Sequence, residues 1–499
     1  MSTIDAVRGM RDVAPDEHAL LQRVAAQLER AIGGYGYQQI DLPVVEQRDL
    51  YQRKLGEELV GKVYEFSFNG RELALRPEWT ASVLRAYVGG MQDRPLPLRL
   101  SYTGPVFRNE RPQRATYRQF TQVGVELIGG AAPRADAEII GLACDGLAAV
   151  GIDGYTLRVG HIGLIRRVLA AMGLTERTQG ILAWNLERLR DRGAAQIREL
   201  LASETAPLDF DRTLFDTLDD AQAEALLLHA LREIGVNLRY GTRPPEAIVN
   251  RLVRKLRRED SQEQIDRALA LLDRLCRIAG PPDVALPQAE TLLGDFELRT
   301  DDLDELRTIL DLIAAHGVAP ERLMLDFGVG RGLNYYTGVI FEIYAPDGLQ
   351  ICGGGRYDDL VTMLGGSQRA PAVGFAYGLE RVVASLPPAL PHPERQTTLL
   401  VSAADDDSYP YAVRVAAALR ALGYVAQLDV RGRGAAGNRR AAARREIDAL
   451  VLVDGVHRDA GTLLWRETGA AGERAGVERT IALAELAARR KDDSAAPQT

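Results

Sequence analysis

Cysteine is scarce in this sequence of 499 residues: Cys144, Cys276 and Cys352 are its three, and they stand far apart. No pair has metal-ligand spacing, which argues against a disulfide framework or a zinc site and fits a reducing compartment. Long apolar runs are lacking too. The opening MSTIDAVRGMRD has no apolar h-region, and no later stretch is apolar enough to span a bilayer. A cytoplasmic protein with no membrane partner is expected. Positive charge is in deficit, with 61 Lys and Arg against 69 Asp and Glu and a formal net charge of -8. A protein that lives on DNA is usually basic overall, so DNA is not expected as a partner. A local basic strip could still hold RNA.

What is present is a globular balance, 46% hydrophobic and 26% charged, in a chain too long for one core. Asp16–Ile32 carries Leu20, Leu21, Val24, Leu28 and Ala31 roughly on one helical face and stops at Gly33-Gly34. Tyr37–Glu46 alternates like a strand, and Pro43 inside it marks an edge or an interface. Asn69-Gly70, between Val63–Phe68 and Glu72–Leu75, predicts a hairpin turn. Leu98–Phe107 and Arg118–Leu127 read as strands around a polar loop, Arg108–Thr116. From about 176 to 295, Leu/Ala/Arg/Glu stretches of helical period predict a helical insertion. Strands return at Leu323–Phe327, Val339–Tyr344 and Leu349–Cys352, and Gly374–Leu386 reads as a strand running into a helix. The proline-rich stretch 387–396 predicts a linker. Residues 397–490 alternate β-α-β-α-β, a small α/β domain with a parallel sheet, and 491–499 read as a disordered tail. The expected class is α+β, with an antiparallel sheet flanked by helices over 1–386.

The segment Phe107–Glu126, FRNERPQRATYRQFTQVGVE, carries the most chemistry. It sets Arg108, Glu110, Arg111 and Arg118 around a turn between two strands, and guanidinium suits a bidentate grip on phosphate. Glu110 can order those arginines or accept from an adenine amino group. A solvated hairpin tip would account for the loop alone. It would not account for Gln122 and Glu126, which period-2 geometry points the same way from a mostly apolar strand. That placement is costly unless they meet a ligand. Four other segments are LRPEWTA (Leu75–Ala81), RGLNYYTG (Arg331–Gly338), CGGGRYD (Cys352–Asp358) and AVGFAYGLER (Ala372–Arg381). Singly they are weak: Pro-Glu is common at a helix start, and the glycines lack the spacing of a dinucleotide-binding loop.

Taken in order, these segments resemble the class II aminoacyl-tRNA synthetases in their histidyl version. FR-x-ERPQ followed by YRQF-x-Q-xxx-E looks like motif 2. The resemblance implies that Arg108 binds the α-phosphate of ATP, that Glu110 contacts adenine with Arg118 also at the nucleotide, and that Gln122 and Glu126 contact histidine. LRPEWTA resembles the stretch whose acid and threonine hold the α-amino group, which implies Glu78 and Thr80. RGLNYYTG resembles a signature whose arginine is a catalytic cation at the α-phosphate, implying Arg331, with Tyr336 lining the histidine pocket. CGGGRYD implies Tyr357 against the imidazole, and AVGFAYGLER resembles motif 3, implying Arg381 on adenine and the γ-phosphate. Gly36–Glu46 resembles motif 1, the proline-bearing strand of a homodimer interface. The likeness runs from Arg8 to about Leu386, the insertion excepted. Three positions depart from it: Trp79 replaces a small residue and would crowd the amino-acid pocket, Thr116 replaces an arginine of the loop, and Asn334 replaces an aspartate.

The activity implied is the charging of tRNA(His) with histidine. Histidine's carboxylate would attack the α-phosphate of magnesium-bound ATP, and the adenylate would pass to the tRNA 3′ end, with no structural metal. The C-terminal domain would read the anticodon, with Arg431, Arg433, Arg439, Arg440, Arg444 and Arg445 as its candidate strip. A solvated helix face explains that strip equally well. The three departures and LRVGHIGLIRRVL (Leu157–Leu169) keep a second reading open: the non-catalytic regulatory subunit of ATP phosphoribosyltransferase, a paralogue with the same fold. Retention of Arg108, Arg331 and Arg381 opposes it, as does the C-terminal domain. A binding-only tRNA or histidine sensor would share the same pockets.

Overall fold

The computed structural model describes residues 4–52, 61–111, 113–204, 218, 220–233, 260–330, 335–387, 397–444, 447–468 and 478–485. They fall into two compact units that divide between 388 and 389. In the first unit, the N-terminal apolar pattern forms the helix Pro15–Gly34, burying Leu21, Val24, Ala25, Leu28 and Ile32. Proline at its start has no N–H to leave unpaired, and Asp16 and Glu17 in its first turn complement the helix dipole.

The strands of this unit are β1 (Gln38–Gln39), β2 (Val45–Gln47), β3 (Tyr64–Phe68), β4 (Arg71–Leu75), β5 (Leu98–Phe107), β6 (Gln119–Ile128), β7 (Thr156–His161), β8 (Ala279–Gly280), β9 (Leu323–Asp326), β10 (Val339–Tyr344), β11 (Gln350–Arg356) and β12 (Ala372–Gly378). They form a nine-stranded sheet in the order β1-β5-β6-β12-β11-β10-β7-β9-β8 and a separate sheet β2-β4-β3. From β5 to β7 along that order every pairing is antiparallel, while β1 and β9 join in parallel. The α+β architecture of helices on an antiparallel sheet is therefore the one expected. The Asn69-Gly70 turn forms with both φ values positive, 49° and 72°, as a two-residue hairpin requires. The segment read as one strand, Tyr37–Glu46, is divided: β1 edges the large sheet, β2 edges the small one, and donor-less Pro43 lies between them.

Register prepares the site. Glu126 pairs with Leu100 and Gly374, Gly124 with Tyr102 and Ala376, and Gln122 with Gly104 and Gly378. On β11, Gly353 and Gly355 continue the same rows. One face of four central strands therefore carries Tyr102, Gln122 and Glu126 over a floor of mostly glycine and alanine, which leaves a trough. The helix Arg134–Ala149 packs on the opposite face, where Tyr377 donates to the Ala143 carbonyl at 2.7 Å.

The insertion contains the helices Glu176–Trp184, Leu186–Arg192, Ala194–Glu204, Asp220–Glu233 and Gln262–Leu275. Ser261 and Gln264 cap the last of them reciprocally. The chain is back on the large sheet before residue 295, since β8 pairs with β9. A two-residue strand has no period to read, so the sequence ran it into the helices.

In the second unit, β13 (Thr398–Ala403), β14 (Val425–Leu428) and β15 (Ala449–Val453) are parallel, with the helices Tyr409–Ala421 and Ala435–Arg444 between them in sequence. Two antiparallel strands, β16 (Thr462–Glu467) and β17 (Glu478–Ala482), extend the sheet beyond the expected β-α-β-α-β unit. Residues 388–396 of the linker and the tail 491–499 lie outside the described residues. Among the described residues, no helix is long and apolar enough to cross a membrane.

Candidate functional site

A cavity of about 290 Å³ opens on the trough, and Arg108, Glu110, Gln122 and Arg381 all line it, with Thr116, Phe120 and Glu380. The strand β5 ends at Phe107, so Arg108 starts from a fixed backbone. Its Nε donates to the Pro77 carbonyl at 2.8 Å, and its guanidinium carbon lies 5.3 Å from the centre of the Phe120 ring. Arg381, in the first turn of the helix Leu379–Ala384, donates to the Gln350 carbonyl at 3.2 Å and to the Thr116 hydroxyl at 3.0 Å. The Glu380 carboxylate accepts from the Thr121 amide at 2.9 Å, and burial raises its pKa. Glu110 pairs with Lys62 at 3.6 Å. Two guanidinium groups already held in place beside an aromatic ring suit a polyphosphate carrying a base.

Further along β6, Glu126 is almost fully buried, at 1% exposure. Thr80 and Tyr102 donate their hydroxyls to its Oε1 at 2.7 and 3.0 Å, and Tyr357 donates to Oε2. A carboxylate offers about four lone-pair positions, so the three hydroxyl donors among the described residues leave about one open. The buried Glu78 carboxylate accepts from the Ala81 amide through both oxygens, at 3.0 and 3.3 Å, and so caps the helix Thr80–Gly90. Burial raises the pKa of both acids. Glu126 lies well above the usual carboxylate range, pushed further by Glu78, while the Arg108 charge pulls Glu78 back. Gln122 is buried, and its Oε1 has no hydrogen-bond partner among the described residues. Tyr336 and Tyr357 both lie close to Tyr335, with ring centroids 4.8 and 5.7 Å from it. A side chain at Gly374 would overlap the Glu126 carboxylate, and one at Gly355 would overlap Tyr336, so glycine is required where acid and ring approach the backbone. Two desolvated acids partnered mainly by neutral donors suit a small cationic ligand with N–H groups.

Trp79 does not behave as its size suggested. It is 1% exposed and sandwiched between the Arg76 guanidinium and the Tyr102 ring. Sequence reasoning missed Tyr102 and Arg76. The available signal was Tyr102's inward position two residues before Gly104, on the row facing Gln122. Thr116, the second departure, partners Arg381.

Arg118 is not among the cavity-lining residues. It donates to the carbonyls of Arg8 and Glu110 at 3.0 and 3.2 Å, tying the loop to the RGMRD segment. Arg331 and Asn334 lie outside the described residues. In the second unit Arg431, Arg439 and Arg440 are exposed, whereas Arg433 pairs with Asp429 at 3.2 Å. Arg445 and the Arg444 side chain lie outside the described residues. Among the described residues, no group of three or more His, Cys, Asp or Glu side chains is arranged to hold a metal ion.

The family described as histidyl-tRNA synthetase matches residues 9–382. The histidine–tRNA ligase of Thermococcus kodakarensis is 30% identical, over 97% of this chain and 99% of its own length. That of Methanocaldococcus jannaschii is 32% identical, over 85% of this chain and 86% of its own. A histidyl-tRNA synthetase structure from Nostoc sp. superposes with a TM-score of 0.63 at 21% identity, covering 99% of this chain and 100% of that one. A Bacillus halodurans structure described as an ATP phosphoribosyltransferase regulatory subunit/histidyl-tRNA synthetase gives 0.62 at 23% identity, covering 91% and 99%. At such identities the two structures speak to fold alone.

Proposed function

The chain belongs to the histidyl-tRNA synthetase family, and on that premise we propose how its own residues charge tRNA(His) with histidine. It is an ATP-using aminoacyl-tRNA ligase, and the regulatory-subunit reading is not favoured. Arg108 takes the α-phosphate, Arg381 the γ-phosphate and the adenine face, and Glu110 the adenine amino group. Arg331 is the catalytic cation at the α-phosphate. Arg118 acts on the nucleotide indirectly, by fixing the loop that carries Glu110. Magnesium arrives with the triphosphate as part of the substrate, since phosphate and water oxygens supply most of its ligands in such complexes.

Glu78 and Thr80 hold the α-amino group of histidine. Gln122, Glu126, Tyr336 and Tyr357 surround its imidazole, whose N–H fills the remaining acceptor position of Glu126. An oxygen of the histidine carboxylate then attacks the α-phosphorus, the bond to the β-phosphate oxygen breaks, and pyrophosphate leaves. The 3′-terminal ribose hydroxyl of tRNA attacks the carbonyl carbon of the adenylate, losing its proton, and AMP departs. The arginines stabilise charge growing on phosphate, and a site built on hydrogen bonds rejects amino acids that leave it unpaired.

One observation carries the reading: Gln122 and Glu126 lie on one face of one strand, the first lining the arginine cavity and the second ending in the carboxyl cluster. A ligand bridging the two brings an amino acid to a phosphate. A second copy of this chain is the partner for the small sheet, where Val45, Phe66 and Phe68 share one face at 43, 40 and 63% exposure. The exposed Arg431, Arg439 and Arg440 contact the anticodon, DNA is not a partner, and the location is cytoplasmic. Exchange of labelled pyrophosphate into ATP tests the whole: it should require histidine and fail with other amino acids. No exchange from the folded protein would overturn it.

A further inference from the structure

Trp79 lies between two residues assigned to the amino-acid ligand, Glu78 and Thr80, yet its ring faces away from solvent and carries a stack. The Arg76 guanidinium carbon sits 3.5 Å from the Trp79 ring centre, and the Trp79 and Tyr102 rings are parallel within 8° at 4.9 Å. Each member is pinned. Arg76, 2% exposed, donates Nε to the Pro105 carbonyl and Nη1 to the Leu42 carbonyl, both at 2.8 Å. Trp79 donates Nε1 to the Gly104 carbonyl at 3.4 Å. Tyr102, at the end of the stack, donates its hydroxyl to the Oε1 of Glu126 at 3.0 Å.

We propose that Arg76 and Trp79 are positioning residues that aim the Tyr102 hydroxyl at Glu126, and so set which lone pair of Glu126 remains for the imidazole N–H. The inference rests on the histidine-ligase reading and adds to it roles for Arg76 and Trp79, which flank the ligand residues of LRPEWTA, and for Tyr102, which lies outside the motifs. A guanidinium under an indole gives a rigid, desolvated base. A flat aromatic partner above it restricts Tyr102 to one plane, in which its O–H meets Oε1. With Thr80 on the same oxygen and Tyr357 on the other, rotation of Tyr102 would open a second acceptor position on Oε1, and a misplaced donor could take it. The bulky residue at 79 thus sharpens recognition from behind.

Burial alone would make Trp79 a core residue, and the two roles separate experimentally. Trp79→Leu, Trp79→Phe, Tyr102→Phe and the Trp79→Leu/Tyr102→Phe double variant would be assayed by pyrophosphate exchange, with histidine and ATP varied separately. Calorimetric titration with histidine would accompany the kinetics. Loss of one hydrogen bond to a charged group predicts a rise of about tenfold in histidine KM for Tyr102→Phe. Trp79→Leu should match it, Trp79→Phe should restore most of the affinity, and the double variant should be no worse than either single one. ATP KM should stay within about twofold throughout, as expected for distant independent groups. Arg76→Lys, which keeps charge but loses the plane, should raise histidine KM and serves if Trp79→Leu does not fold. Wild-type histidine KM in Trp79→Leu or Arg76→Lys, an equal rise in ATP KM, or multiplied effects in the double variant would overturn the proposal. Absence of exchange in the wild type would overturn the ligase reading instead, while calorimetry would still judge the stack.

Discussion

Arg381 donates to the hydroxyl of Thr116 at 3.0 Å, and both residues line the cavity proposed for the nucleotide. Where the family pattern has an arginine, this chain has a neutral residue that accepts from the one arginine of the motif 3-like helix. The loop keeps a second tether from Arg114 to Asp347 at 2.9 Å. On the proposed reading Thr116 presets Arg381 rather than gripping ATP itself. Thr116→Val should raise ATP KM by about fivefold, the value of one ordinary hydrogen bond, without changing histidine KM. An unchanged ATP KM would show that the contact has no part in binding.

Histidine binding should depend on pH in a direction set by the buried acids. Glu78 and Glu126 keep their protons to higher pH than ordinary carboxyls, because burial penalises the charged form. A cationic α-amine selects the ionised form. Affinity should therefore rise as pH climbs from the ordinary carboxylate range through the raised values, with protons released on binding. Without ligand, these acids contribute to stability below the ordinary range and lose that contribution as pH rises through their folded values. Calorimetry in two buffers of different ionisation enthalpy measures the release, once histidine's own titration is subtracted. Proton uptake would contradict the assignment.

The exposed face of the small sheet predicts the oligomeric state. Phe68→Asp places a charge where an interface would bury apolar surface, and it should shift a dimer toward monomer at micromolar concentration. Sedimentation velocity on the full chain measures this. An unaltered dimer would move the interface elsewhere.

Much of the site was legible because its chemistry sits on strands, where period 2 fixes direction. Gln122 and Glu126 share a face as their spacing requires, and the Asn69-Gly70 turn follows from the φ values those residues tolerate. The Arg76–Trp79–Tyr102 stack was not legible, because it joins β5 to the segment after β4 through a contact no local pattern encodes. The tie of Arg118 to the carbonyls of Arg8 and Glu110 was equally hidden, because it joins residues apart in sequence. The two-residue β8 escaped because so short a strand offers no alternation to stand out.

The division of one trough into a nucleotide end and an amino-acid end is tested most directly by equilibrium binding of ATP and of histidine, measured separately, to Arg381→Ala and Glu126→Gln. Arg381→Ala should weaken ATP about tenfold or more and leave histidine unchanged, and Glu126→Gln should weaken histidine about 10- to 100-fold and leave ATP unchanged. Loss of histidine binding in Arg381→Ala, or of ATP binding in Glu126→Gln, with both proteins folded, would contradict the account.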